Sequence, residues 1–102
     1  MVEVHDNPAK DRFEIHADGT LAGFAQYVRR RGRMIFVHTE IDPAFEGRGL
    51  GSKLAGAALD AARTSGDRVV PLCPFIAQYI DRHPEYTDLV DHDLMARLDH
   101  GH

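Results

Sequence analysis

Three glycines within five positions, Gly47, Gly49 and Gly51, punctuate the run Pro43-Ala44-Phe45-Glu46-Gly47-Arg48-Gly49-Leu50-Gly51-Ser52-Lys53. Glycine lets a backbone take positive φ and approach a ligand closely. Downstream, Leu50, Leu54, Ala57, Ala58, Ala61 and Ala62 recur at helical spacing, so the run opens a helix. The first amides of a helix have no intrahelical acceptor, and the helix dipole adds partial positive charge beside them. Such a junction suits a phosphate, and Arg48 and Lys53 bring side-chain cations near it. A Walker A spacing is absent. The dinucleotide pattern G-x-G-x-x-G also fails, because its last position falls on Ser52 counted from Gly47 and on Leu54 counted from Gly49. A helix start with glycines chosen for close packing is the plain alternative.

Four further side chains could do chemistry. His38 and Glu40 stand just before the glycine run, and either could serve as a general base. Histidine has the pKa for that task untuned, whereas Glu needs its pKa raised. Their plain alternative is a solvated strand face. Cys73 precedes Pro74 and a helix start, which lowers a thiol's pKa. It is a small buried residue, a pocket wall, or an acyl acceptor that would need a base such as His38. Tyr79 is either an amphipathic core residue with its tip in water or a proton donor. The turn Arg29, Arg30, Arg31, Gly32, Arg33 reads as a solvated hairpin, with a phosphate or an acidic partner as the alternative. His100 and His102 belong to no metal motif.

The elements that hold these residues follow from periodicity. Val2–His5, Arg12–His16, Leu21–Arg29 and Met34–Ile41 read as strands of an antiparallel meander, with turns at Asn7-Pro8 and Asp18-Gly19. On the last of these strands, strict alternation puts Phe36, His38 and Glu40 on one face and Val37, Thr39 and Ile41 on the other. Ser52–Arg63 reads as a helix ended by Ser65-Gly66-Asp67, and Arg68–Cys73 as a short buried strand. Phe75–Arg82 reads as a second helix, with Pro74 at its first turn and His83-Pro84 as its stop. The acidic tail from Thr87 to His102 is a short docked helix or frayed, above all over 91–102. The order is β-β-β-β-α-β-α, an α+β (mixed α/β) class. Strands 4 and 5 should be parallel, joined by a right-handed crossover, with the ligand at their carboxyl ends.

Bulk properties bound the rest. With 102 residues, 43% hydrophobic, the chain has room for one domain, residues 1–102, and one core. One Cys excludes an internal disulfide framework and a multi-Cys zinc site. A formal charge of -4 argues against a nucleic-acid partner. No apolar run suggests a membrane span or a signal core, so a cytoplasmic setting without metal or membrane is the expectation.

The run Ile41-Asp42-Pro43-Ala44-Phe45-Glu46-Gly47-Arg48-Gly49-Leu50-Gly51 resembles the acetyl-CoA loop of the GNAT N-acetyltransferase superfamily, V-x-P-x-[YF] followed by [QR]-x-x-G-x-[GA]. His38-Thr39-Glu40, Pro71-Leu72-Cys73-Pro74-Phe75 and His83-Pro84-Glu85-Tyr86 extend the resemblance to the minimal stand-alone YjdJ-like branch, over residues 2 to about 90. The resemblance implies the GNAT fold, with strands 4 and 5 splayed. It also implies that the amides of Gly47, Arg48, Gly49, Leu50, Gly51 and Ser52 hold the coenzyme pyrophosphate, and Thr39, Ile41 and Lys53 complete the expected coenzyme site. It implies acetyl transfer from acetyl-CoA to an amine on a small molecule or protein, with Glu40 favoured as base, then His38. Tyr79 would protonate the leaving thiolate, and Cys73 would line the pocket or carry the acetyl group. Glu46 departs from the family's Gln or Arg, and the chain lacks the long helices that larger members place between strands 1 and 2. A CoA-binding regulatory module with little turnover is the second reading, and a monomer or weak homodimer the expected state.

Overall fold

A computed structural model describes residues 1–100 of the chain. It runs β1 (Val2–Asn7), β2 (Arg12–Ala17), β3 (Thr20–Arg30), β4 (Arg33–Ile41), α1 (Leu50–Ser65), β5 (Arg68–Pro71), α2 (Pro74–Arg82) and α3 (His92–His100), with short 3-10 turns at Pro8–Lys10, Pro43–Phe45 and Pro84–Leu89. The strands form a sheet in the order β1-β2-β3-β4-β5. The first four are antiparallel, and β4 and β5 are parallel. The α+β class, the meander and the parallel crossover therefore stand as expected.

Alternation explains which side is packed. Phe13 and Ile15 on β2, Ala25 and Tyr27 on β3, and Met34 and Phe36 on β4 point to one face and are buried. Leu54, Ala55, Ala58, Leu59 and Ala62 of α1 lie against that face, joined by Ile76 and Ile80 of α2. The alanines of α1 let its axis approach the sheet. Gly49 (φ 72) and Gly66 (φ 76) bracket the helix in the left-handed region, where a side chain would be strained. The other face carries Arg12, Glu14, His16, Phe24, Gln26, His38 and Glu40, all at least partly exposed.

Two departures from regular pairing shape the site. The register of β3 and β4 runs Gln26↔His38 and then Tyr27↔Phe36, so Val37 is an extra residue in a β-bulge. The bulge resets the alternation. Phe36 is buried while His38 and Glu40 are exposed, so Phe36 does not share their face, contrary to the sequence expectation. Strict alternation has no way to register one inserted residue. The second departure is the end of the β4–β5 ladder. Pairing stops at Phe36↔Pro71, and a last bond runs from Cys73 N to Phe36 O at 2.9 Å. Pro71 has no N–H to extend the ladder, and Pro74 starts α2. The last residues of β4, His38–Ile41, pair with β3 alone, which splays β4 from β5.

Boundaries shift modestly. The first helix begins at Leu50, ahead of Ser52, and β5 ends at Pro71, so Cys73 occupies the N-cap of α2 instead of the strand. The tail folds as α3 through His100. Asp91 starts it by accepting from Leu94 N at 3.0 Å while receiving Arg33 Nε at 2.7 Å. Gly101 and His102, the end of the expected tail, lie outside the described residues. The arginine turn sits at the start of β4, ~26 Å of strand away from its carboxyl end. Arg29 is bound to Asp67 and Arg33 to Asp91 there. Among the described residues, no helix is long and apolar enough to cross a membrane.

Candidate active site

The glycine turn is built by local chemistry. Asp42 Oδ1 accepts from Ala44 N at 2.9 Å, and Pro43 supplies a preset φ for a single 3-10 turn, whose carbonyls engage the amides of Phe45 and Glu46. Gly47 (φ 81) and Gly49 then turn the chain into α1. Among the described residues, no acceptor reaches the six amides from Gly47 to Ser52. The first helical bond inward is Lys53 N to Gly49 O at 3.3 Å. Gly51 has a different reason to be glycine: a Cβ there would sit 2.8 Å from the Phe75 ring.

A cleft of about 290 Å³ lies over this turn, lined by Ile41, Phe45, Glu46, Gly47, Gly49, Leu50, Gly51, Ser52 and Phe75. Of the loop residues expected there, Arg48 instead lays its guanidinium 5.5 Å from the Phe45 ring centroid, and Lys53 is exposed on α1. Thr39 faces inward from β4. Its Oγ1 accepts from the Cys73 thiol at 3.3 Å, and Cys73 is buried. The pair therefore sits where β4 and β5 part.

His38 and Glu40 project from the opposite face, with Nε2 and Oε1 3.8 Å apart and both side chains more than half exposed. The His38 ring lies 6.0 Å from Phe24. Cys73 is thus paired with Thr39, not with His38, and the bulge puts the two pairs on different faces. Tyr79 stacks on His83 at 3.9 Å, and a Cβ on Gly56 would lie 2.8 Å from its hydroxyl. It lines a small recess with Ser52 and Phe75, on the α1 side of the site and apart from Glu40. Burial first, then the charges of Glu85 and Asp60, push its hydroxyl pKa up, so it stays protonated.

A second cleft, about 470 Å³, opens where β3 begins and β4 ends. It is lined by Leu21, Ala22, Gly23, Phe24, Glu40, Ile41, Asp42 and Pro43. Sequence reasoning missed Phe24, Asp42 and Phe75 as site residues. Their signals were weak: Phe24 is one aromatic in an apolar run, and only the register sets it opposite Glu40. Gly23 did carry a signal, a lone glycine inside a strand, which marks close backbone approach. A Cβ there would lie 2.5 Å from Glu40 O. Among the described residues, no group of three or more His, Cys, Asp or Glu is placed to hold a metal ion.

A splayed parallel strand pair beside a helix start whose first amides are unengaged defines an α+β protein with a cleft at the strand ends. The family model described as GCN5-related N-acetyl-transferase matches residues 12–89, and the chain belongs to this family. Among solved structures, a GCN5-like protein from Staphylococcus aureus, solved by NMR, superposes with a TM-score of 0.66 at 20% identity over 86% of each chain. Ard1 from Thermoplasma volcanium gives a TM-score of 0.53 at 21% identity, over 60% of this chain and 43% of that one. At these identities both likenesses speak to the fold. No curated protein matches the chain.

Proposed function

We propose that the chain is an acetyl-CoA-dependent N-acetyltransferase acting on a primary amine, of the small stand-alone type its motifs resemble. The observation that carries this reading is the row of six unengaged amides, Gly47–Ser52, opening into a cleft that reaches the end of β4 at Ile41, where β5 no longer pairs with it. A diphosphate fits that row, as an anion at a helix start does. The edge of β4 beyond Phe36 offers backbone donors and acceptors to an amide-bearing arm, as an exposed strand does to a peptide. Bound there, acetyl-CoA would supply an activated acyl group in the splay, near Thr39 and Cys73. An amide of this β4 edge, at Ile41, polarises the acyl carbonyl, a kind of donor that contributes about 3 kcal/mol of barrier lowering elsewhere. Glu40 takes the proton of the attacking amine, directly or through water, because it lines the neighbouring cleft and His38 does not. Tyr79, held protonated, is the donor available on the α1 side. Glu46 lines the coenzyme cleft as an acid and works against the diphosphate. A cytoplasmic monomer or weak homodimer, without metal, nucleic acid or membrane, completes the reading.

The test follows thiol release from acetyl-CoA with a panel of amines. Glu40→Gln should lower kcat by ~100-fold or more with coenzyme binding intact. Coenzyme binding in calorimetry without turnover on any amine would leave a CoA-binding module instead, and absence of coenzyme binding would overturn the reading outright.

A further inference from the structure

We propose that the 470 Å³ cleft selects the acceptor, and selects for a primary amine on an unbranched alkyl arm carried by a molecule of net positive charge. The inference rests on the transferase reading above and names its substrate class. Position is the first argument. Ile41 lines both this cleft and the coenzyme cleft, so the two meet there. Shape is the second. Leu21, Ala22, Phe24, Ile41 and Pro43 make apolar walls. The floor at Gly23 is bare backbone, because a Cβ would strike Glu40 O and Ile41 Cδ1, each at 2.5 Å. Such walls suit methylene groups.

Charge is the third argument. The ionisable side chains lining the cleft are Glu40 and Asp42, both acids. The basic groups beside it are His38, whose Nε2 lies 3.8 Å from Glu40 Oε1, and Arg12. The Arg12 guanidinium sits 4.6 Å over the Phe24 ring, and its Nε is held by Glu14 Oε2 at 2.8 Å, so its charge is offset. An ammonium arm meets attraction here, and an amine that carries a carboxylate meets two like charges. Glu40 deprotonates the reacting amine, while Asp42 faces the cation that remains. One Asp42 oxygen accepts from Ala44 N, which leaves the other to face the cation. A polyamine and a lysine side chain both present this chemistry.

The experiment compares kcat/KM for spermidine and for an N-terminally blocked lysine peptide with values for glutamate and aniline. Cationic acceptors should lead by about 10-fold or more, with the lead shrinking as salt screens the charges. Whichever of spermidine and the peptide is preferred identifies the source. Asp42→Asn keeps the oxygen that accepts from Ala44 N and removes the charge. It should raise KM for the preferred cation about 2- to 5-fold at constant kcat, and leave KM for glutamate unchanged or lower. Equal use of glutamate or aniline, or an unchanged KM for the cation in Asp42→Asn, overturns the proposal. Spermidine binding is read separately, from amide shifts at Gly23, Phe24, Glu40 and Ile41 without coenzyme. Shifts there without any transfer would sink the transferase reading and acceptor selection with it; transfer to spermidine without shifts there would sink this proposal alone.

Discussion

At the residue scale, Glu46 is the side chain whose replacement reports most simply on the ligand. It lines the cleft above the glycine turn, and its backbone amide is already used by Pro43 O. On the proposed reading its carboxylate opposes the coenzyme diphosphate through charge. Glu46→Gln should tighten coenzyme binding about 2- to 5-fold in calorimetry, and more at low salt. Looser binding would mean that Glu46 holds the ligand through contacts of its own. The glycine turn was legible in the sequence because its glycines and first helical amides act locally, through φ or a missing intrahelical partner, whereas the places of Arg48 and Lys53 outside the cleft lining were not. Phe24 and Asp42 were not, because their part depends on what lies across the sheet from them. Cys73 shows the same limit. Its place before α2 was readable, but its partner Thr39, 34 residues earlier, was not.

At the element scale, the site is made by two faults in a regular sheet. The bulge at Val37 turns Thr39 toward Cys73 and leaves His38 and Glu40 on the exposed face. The ladder that ends at Pro71 frees the edge of β4. Element order, strand directions and the crossover were legible, since apolar periodicity and turn residues specify them. The bulge was not, because one extra residue leaves composition and local propensity unchanged. The close approach of β3 to β4 gives a direct check on this geometry. Gly23→Ala puts a methyl group 2.5 Å from the Glu40 carbonyl, which is backbone and cannot swing away. The variant should lose about 1–3 kcal/mol in chemical denaturation and lose acetyl transfer more steeply than it loses coenzyme binding. A variant as stable and as active as the parent would place the strands farther apart than described.

At the scale of the whole molecule, the two ends of the sheet do different work. At the start of β4, Arg29 and Arg33 tie the hairpin to Asp67 and Asp91, anchoring the ends of α1 and the tail. At the other end lie both clefts. The open sheet face between them carries Glu14, which Arg12 above all, against the cost of burial and with His16 and Asn7, holds at about 2 instead of 4.5. A carboxylate depressed on folding stabilises the protein above its unfolded pKa, and that contribution drains away as the pH falls through the folded value. Thermal melts should therefore lose stability as pH drops from about 4.5 toward about 2, and Glu14→Gln should flatten that descent while leaving the melt at pH 7 lower than the parent's. An unaltered acid descent in the variant would remove Glu14 from the account. The central claim concerns the other end and is tested most directly by NMR. Titrating CoA into labelled protein should move the amide resonances of residues 47–52 more than any others, and downfield, as they take up phosphate oxygens. Saturable binding that leaves those six resonances in place would contradict the account.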